Sequence, residues 1–368
     1  MMLYLHLPFC KRKCPYCDFV SFPGREGEIG RYVGALLREM EQKSDEFGPK
    51  EIGSVFFGGG TPSLLPIAEL ERLFKGLRRH FRIQEGAEIT LEANPGTLSP
   101  QWLRAAASLG ANRLSLGAQA AQDRLLRAIG RIHQGNDIVS AVNWAKEAGF
   151  LNISADLMYA LPGQSLGDFE ESLRLLLRLG LPHISCYNLT IEEATPFGQS
   201  LKRGELALPS EDEELAFFDL AGEILAEGGL RRYEISNYAL PGFESRHNLG
   251  YWNRGEYLGL GCAAHSLAGD ARFANAQSLD GYFAALKGGK SPETERQILS
   301  EEEICFEEIM LGLRKMDGVV LSEKAFARYE EGLKALELAG FAALDGRRAR
   351  LTAKGLPVMN AILTRLMG

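Results

Sequence analysis

The stretch FCKRKCPYCDF (9–19) places Cys10, Cys14 and Cys17 in C-x3-C-x2-C spacing. Thiols this close, with no fourth partner, pose a question of coordination chemistry. A structural zinc site takes four protein ligands, and a catalytic one takes three plus water. The nearest other ligand type is His6, which alternates with Tyr4 and Pro8 along an apolar run, where a core position serves equally well. Iron–sulfur clusters are held by cysteine thiolates, and three thiolates on a 4Fe-4S cube leave one iron open to a small-molecule ligand. Cys186, Cys262 and Cys305 are scattered through apolar surroundings and read as small buried core residues.

Such a loop must be carried by regular elements. Short apolar runs alternate with amphipathic stretches up to about residue 190. The predicted strands are 3–9, 54–59, 88–94, 113–119, 152–159 and 183–190, with helical patterns near 28–46, 66–81, 99–109, 121–130, 134–148 and 165–179. Ser165 and Asp168 form a capping-box pattern at the last of these. Alternation of this kind implies an α/β fold of parallel βα units, and six units imply a partial (βα)6 barrel rather than a closed eight. Pro196 and Pro209 bracket a polar stretch where the alternation stops, and a helix follows over 211–228. We therefore expect a barrel over 1–195, an irregular α+β region over 196–299 and a small domain over 300–368. The last reads helix, helix, short hairpin, helix, which is winged-helix-like, with GRRAR (346–350) as the wing.

Composition narrows the classes. Apolar residues make up 45% and charged residues 24% of the 368, which describes a globular chain with a sizeable core. The formal net charge of −7 argues against a general nucleic-acid surface and favours a structural or partner-docking wing. The basic patch LRRHFR (77–82) closes a predicted helix, where cations suit the dipole. No apolar run approaches the roughly 20 residues of a membrane span, and MMLYLHLPFC has no basic leader. The expectation is a cytoplasmic protein with reduced thiols.

The motif YLHLPFCKRKCPYCDF resembles that of the radical S-adenosylmethionine enzymes, within them the branch that holds the oxygen-independent coproporphyrinogen oxidases and the HemW heme chaperones. The resemblance extends over nearly the whole chain. It implies a 4Fe-4S cluster on Cys10, Cys14 and Cys17, with S-adenosylmethionine chelating the open iron. GGGTP (58–62) is similar to the family's GGxTP stretch, so Gly59, Gly60 and Thr61 would meet the methionine end of that cofactor. Glu92, Gln119, Arg131 and Asp156 match polar positions of the family's pocket, Tyr4 and Tyr16 match aromatic contacts, and Thr190 or its neighbour Leu189 completes the set. Singly, each has a plainer reading: a helix-end cation, a buried turn acid, a core aromatic.

HNLGYW (247–252), followed by EYLGLGCAAHS (256–266), is similar to the HNxxYW motif of the heme chaperones. Imidazole is a common axial heme ligand and aromatic rings can cover porphyrin surface, so the resemblance implies heme binding through His247. His265 and Cys262 compete as ligands, and the plain alternative is a loop histidine whose aromatic neighbours fill a core. The oxidases carry one more cysteine two residues past the third, where this chain has Phe19, and they have a long N-terminal arm. Both departures favour a heme carrier over a coproporphyrinogen dehydrogenase or another radical enzyme acting on porphyrins, and whether the chain is an enzyme stays open. The implied partners are heme-accepting respiratory proteins rather than nucleic acid; peripheral membrane association and a homodimer are compatible with that role.

Overall fold

A computed structural model describes residues 1–48 and 50–367. Its main sheet begins with β1 (Met2–Leu7). Two short strands, β2 (Phe9–Cys10) and β3 (Phe22–Pro23), pair in parallel and close the cysteine loop at its base. The parallel series continues with β4 (Glu51–Gly59), β5 (Arg82–Ala93), β6 (Arg113–Gln119), β7 (Asn152–Tyr159) and β8 (His183–Asn188). Helices Ile29–Phe47, Ile67–His80, Pro100–Ser108, Gly135–Glu147 and Leu166–Arg178 make the crossovers. Each βα unit follows from an apolar strand and a helix with one buried stripe, and the Ser165–Asp168 capping box forms as expected.

The chain beyond 195 is more regular than its sequence suggests. After helix Glu211–Glu227, β9 (Arg231–Glu234) and β10 (Asn237–Ala239) extend the β8 edge antiparallel. At the opposite edge β11 (Tyr257–Leu260) pairs in parallel with β1, and β12 (His265–Ala268), β13 (Ala271–Asn275) and β14 (Glu293–Ile298) continue antiparallel. The order is β14-β13-β12-β11-β1-β4-β5-β6-β7-β8-β10-β9, one open sheet of 12 strands. The region over 196–299 is α+β as expected, with its strands built onto the edges of the barrel sheet. Strands of three to six residues carry too little periodicity to be seen alone, and they are ordered by docking on both edges of the barrel sheet. Strand β14, ETERQI, is charged and mostly exposed, which protects the sheet's edge.

One core runs from Leu3 to Leu286 across the sheet and its helices, and a second, from Cys305 to Leu363, fills the C-terminal unit. That unit has helices Glu301–Gly312, Glu323–Leu338 and Met359–Met367 and a small sheet of β15 (Val319–Val320), β16 (Ala342–Asp345) and β17 (Arg348–Leu351). In the hairpin read as a wing, Arg347 and Arg348 donate to the carbonyls of Leu321 and Asp317 at 3.0 and 2.9 Å. Cys186, Cys262 and Cys305 are buried. No helix among the described residues is long and apolar enough to cross a membrane.

Candidate functional site

The carboxyl ends of the parallel strands surround a cavity of about 370 Å³. Cys10, Cys14 and Cys17 stand on one wall, with Tyr16, Gly59, Gly60, Thr61, Glu92, Gln119, Arg131 and Asp156 around the rest. The cysteine loop is pinned to the strand ends through the backbone. Gly60 N–H donates to Leu7 C=O at 2.9 Å, Thr61 N–H to Phe9 C=O at 2.8 Å, and Phe22 N–H to Pro8 C=O at 2.7 Å. Glycine is required at 60, where a Cβ would lie 2.6 Å from the Phe9 carbonyl oxygen, and at 59, where φ is +104° and a Cβ would strike the His6 ring.

The three thiols are free and partly exposed. Thr61 Oγ1 lies 3.6 Å from Cys10 Sγ, and Arg131 Nη1 lies 4.0 Å from Cys14 Sγ. Burial pushes the Cys17 thiol up, and the neighbouring Cys14 and Cys10 push the same way. Among the described residues no three His, Cys, Asp or Glu side chains converge as a single metal ion would need.

Opposite the thiols lies an acidic wall. Burial pushes Glu92 up to about 8, and the nearby Asp156 carboxyl adds to it. Glu92 keeps one donor, Gly59 N–H at 3.2 Å. Asp156 is raised as well, chiefly by burial, and Ser115 Oγ is 3.5 Å from each of its oxygens. Two desolvated carboxyls in one cavity favour a cationic occupant or a retained proton. Arg131 bridges the walls: its Nη2 donates to Gly117 C=O at 2.7 Å, while its buried Nε has no partner among the described residues. Gln119 ends β6 with φ of +66°, a strained conformation for a side chain that lines a cavity. Tyr16 packs toward Phe197, and Phe197 N–H donates to Pro15 C=O at 3.0 Å, so the segment after β8 braces the loop.

Tyr4 and Thr190 are not part of this cavity. Tyr4 sits near the start of β1, about 10 Å of strand below Leu7 at its carboxyl end, and lines a second cavity. Past β8 the chain turns, Leu189 is buried in a satellite core, and Thr190 points outward. Tyr187, on β8 itself, faces the cavity instead. Sequence reading also missed Ser115, Gly117, Asn94 and the rim residues Lys11, Arg12 and Lys13. The β6 set had a signal: Ser115, Gly117 and Gln119 alternate with the buried Leu114, Leu116 and Ala118. His133, equally unpredicted, ties strand ends together through Ala118 C=O and Asn94 Oδ1, both at 3.1 Å.

His247 is 1% exposed. It opens helix Arg246–Trp252 behind the Ser245 cap, and its N–H donates to Glu88 Oε1 at 3.0 Å. Its Nδ1 pairs with Ser54 Oγ at 2.9 Å and its Nε2 with Tyr251 OH at 3.1 Å. Burial first, and then the Arg113 charge, push it down to about 3, so the ring is neutral. Both ring nitrogens are thus hydrogen-bonded within the protein, and in this geometry His247, expected as a heme ligand, ties β4 to helix Arg246–Trp252. Trp252 lies under Arg314 of the C-terminal unit, 4.4 Å from the guanidinium carbon. The motif therefore clamps strand β4, helix Arg246–Trp252 and the C-terminal unit together. Cys262, the competing thiol, is buried with its Sγ 3.2 Å from Ala276 C=O.

A parallel-strand sheet with three free thiols and an acidic wall at its carboxyl edge defines a class, and sequence comparison agrees. Residues 4–176 match the model of the radical SAM superfamily, and residues 299–358 match that of the HemN C-terminal domain. The chain is 36% identical to the "Heme chaperone HemW" of Lactococcus lactis, over 99% of this chain and 96% of that one. It is 37% identical to that of Bacillus subtilis over 90% and 88%, and 39% identical to that of Escherichia coli over 72% and 69%. The chain belongs to the HemW family. Its fold is that of the solved coproporphyrinogen III oxidase (HemN) of Escherichia coli, with a TM-score of 0.86 and 23% identity over 99% of this chain and 89% of that one.

Proposed function

We propose that this protein is a heme carrier that holds a 4Fe-4S cluster on Cys10, Cys14 and Cys17 and S-adenosylmethionine in the adjoining cavity. The observation that carries the reading is the match, along nearly the full length of both chains, to proteins named heme chaperones. The site's chemistry fits the two cofactors. Three free thiols spread along one wall suit a cluster larger than one ion, and the raised carboxyls suit the ammonium and sulfonium charges of S-adenosylmethionine. When bound, the pair supplies one-electron chemistry, and the protein's part is to bind, orient and exclude water. Gly59 and Gly60 let the backbone reach the amino-acid end, Glu92 and Asp156 accept positive charge, and Arg131, with its free Nε, holds the cysteine loop against β6. Tyr16 walls the thiol side.

Phe19 stands where porphyrin oxidases carry a further cysteine, and this favours carriage over oxidative decarboxylation. The recipients we infer are respiratory heme proteins at the cytoplasmic face of the membrane. The test is anaerobic reconstitution with iron and sulfide, followed by two parallel incubations. Titration with hemin gives a saturable Soret band with one heme per chain. Incubation with coproporphyrinogen III, S-adenosylmethionine and a reductant gives no protoporphyrinogen by mass spectrometry. Stoichiometric protoporphyrinogen would overturn the carrier reading in favour of a dehydrogenase.

A further inference from the structure

A second cavity, of about 390 Å³, opens beside the first and is lined by Tyr4, Phe19, Phe56, Tyr251, Tyr257 and His265 among others. Its aromatic rings form a connected wall: Tyr4 and Phe56 stack with centroids 6.3 Å apart, and Tyr251 meets Tyr257 edge-on at 4.7 Å. An aromatic groove that is open to solvent suits a flat apolar macrocycle that must later be released.

Three histidines line it. His6 is spent, its Nε2 on Val20 C=O at 2.8 Å and its Nδ1 on Tyr4 OH at 3.0 Å. His247 is spent on Ser54 and Tyr251. His265 is exposed, and among the described residues its ring has no protein hydrogen-bond partner. Its backbone is nonetheless fixed. It begins β12, in register with Ala274, and the turn before it is held by Ala263 N–H to Ala276 C=O at 2.9 Å and by Asn275 N–H to Ala264 C=O at 3.0 Å. A free imidazole on a rigid strand end, facing an aromatic groove, is a preorganised metal ligand.

We propose that the heme of the carrier reading lies in this second cavity, with a ring nitrogen of His265 filling an axial position of its iron. The nitrogen lone pair replaces water at the metal, and nothing is oxidised or reduced. Phe19 is 69% exposed and lines both cavities, so the cysteine loop walls the cluster site on one side and the heme site on the other.

The inference rests on the carrier reading, and its test separates the two. Anaerobically reconstituted wild type, His265→Ala and His247→Ala are titrated with hemin and followed by the Soret band and low-temperature EPR. Loss of an outer partner of a metal ligand costs about 10–100-fold in affinity, so loss of the ligand itself should cost at least about tenfold. His265→Ala is expected to weaken binding by that factor and to lose the imidazole-ligated spectrum, and added imidazole should restore the spectrum. His247→Ala keeps the wild-type spectrum in whatever fraction folds. If wild type binds hemin and His265→Ala matches it in affinity and spectrum, the ligand assignment falls and the carrier reading stands. If wild type binds no hemin, the carrier reading itself falls.

Discussion

Glu92 offers a test that needs no cofactor. Its carboxyl is lifted from an ordinary value near 4.5 to about 8 by burial and by Asp156. An acid raised in the folded state keeps its proton while the unfolded chain has already lost it. The folded protein therefore binds more protons between those limits, and stability falls as pH rises from about 4.5 to about 8, then levels off. A rise of that size corresponds to about 5 kcal/mol at full ionisation, and relaxation around the cavity would reduce what is measured. Glu92→Gln keeps the shape and leaves an oxygen to accept from Gly59 N–H, while it removes the charge. The iron-free variant should therefore match wild type in urea unfolding near pH 5 and exceed it by about 2–5 kcal/mol near pH 9, with the same denaturant slope. The gain comes at the cost of function: the reconstituted variant should bind S-adenosylmethionine more weakly at neutral pH by calorimetry. Parallel stability curves for the two proteins across this pH range would refute the claim that Glu92 is a desolvated acid awaiting a cation.

Serine at any of Cys10, Cys14 or Cys17 should abolish the iron content and the brown absorbance of the reconstituted protein while leaving its circular dichroism unchanged, because these thiols contribute little to the core. Gly60→Ala places a methyl group 2.6 Å from the Phe9 carbonyl oxygen and should push the cysteine loop off the strand ends. Cluster loading, read by iron analysis, should fall in this variant more than its melting temperature. His247→Ala opens a cavity and strands Ser54 and Tyr251. A loss of about 2–4 kcal/mol in urea unfolding is expected, and a fully stable variant would contradict the clamp described above.

The six parallel strands were legible because each carries its own pattern; RLSLGAQ (113–119) alternates core and cavity residues within seven positions. The cysteine spacing and the glycines of GGGTP were legible for a related reason: one loop and one strand end place them, with no distant partner needed. Strands β9 to β14 were not. Each is short, and its register is set by an edge that exists only once the barrel sheet has formed. Where Tyr4 and Thr190 lie relative to the cavity was not legible, because it depends on strand height and on how the chain turns after β8.

The histidines divide along the same line. Sequence by itself determined that His247 lies in a distinctive motif with Tyr251 and Trp252, and that His265 follows shortly after. Only the tertiary structure decided which imidazole is free. Ser54, from β4, and Tyr251 converge on the two nitrogens of His247, whereas the start of β12 leaves His265 facing open space. A side chain's ligand chemistry depends on whether its lone pair is already spent. The partner that spends it comes from 193 residues away in sequence, and folding alone brings it within hydrogen-bond reach.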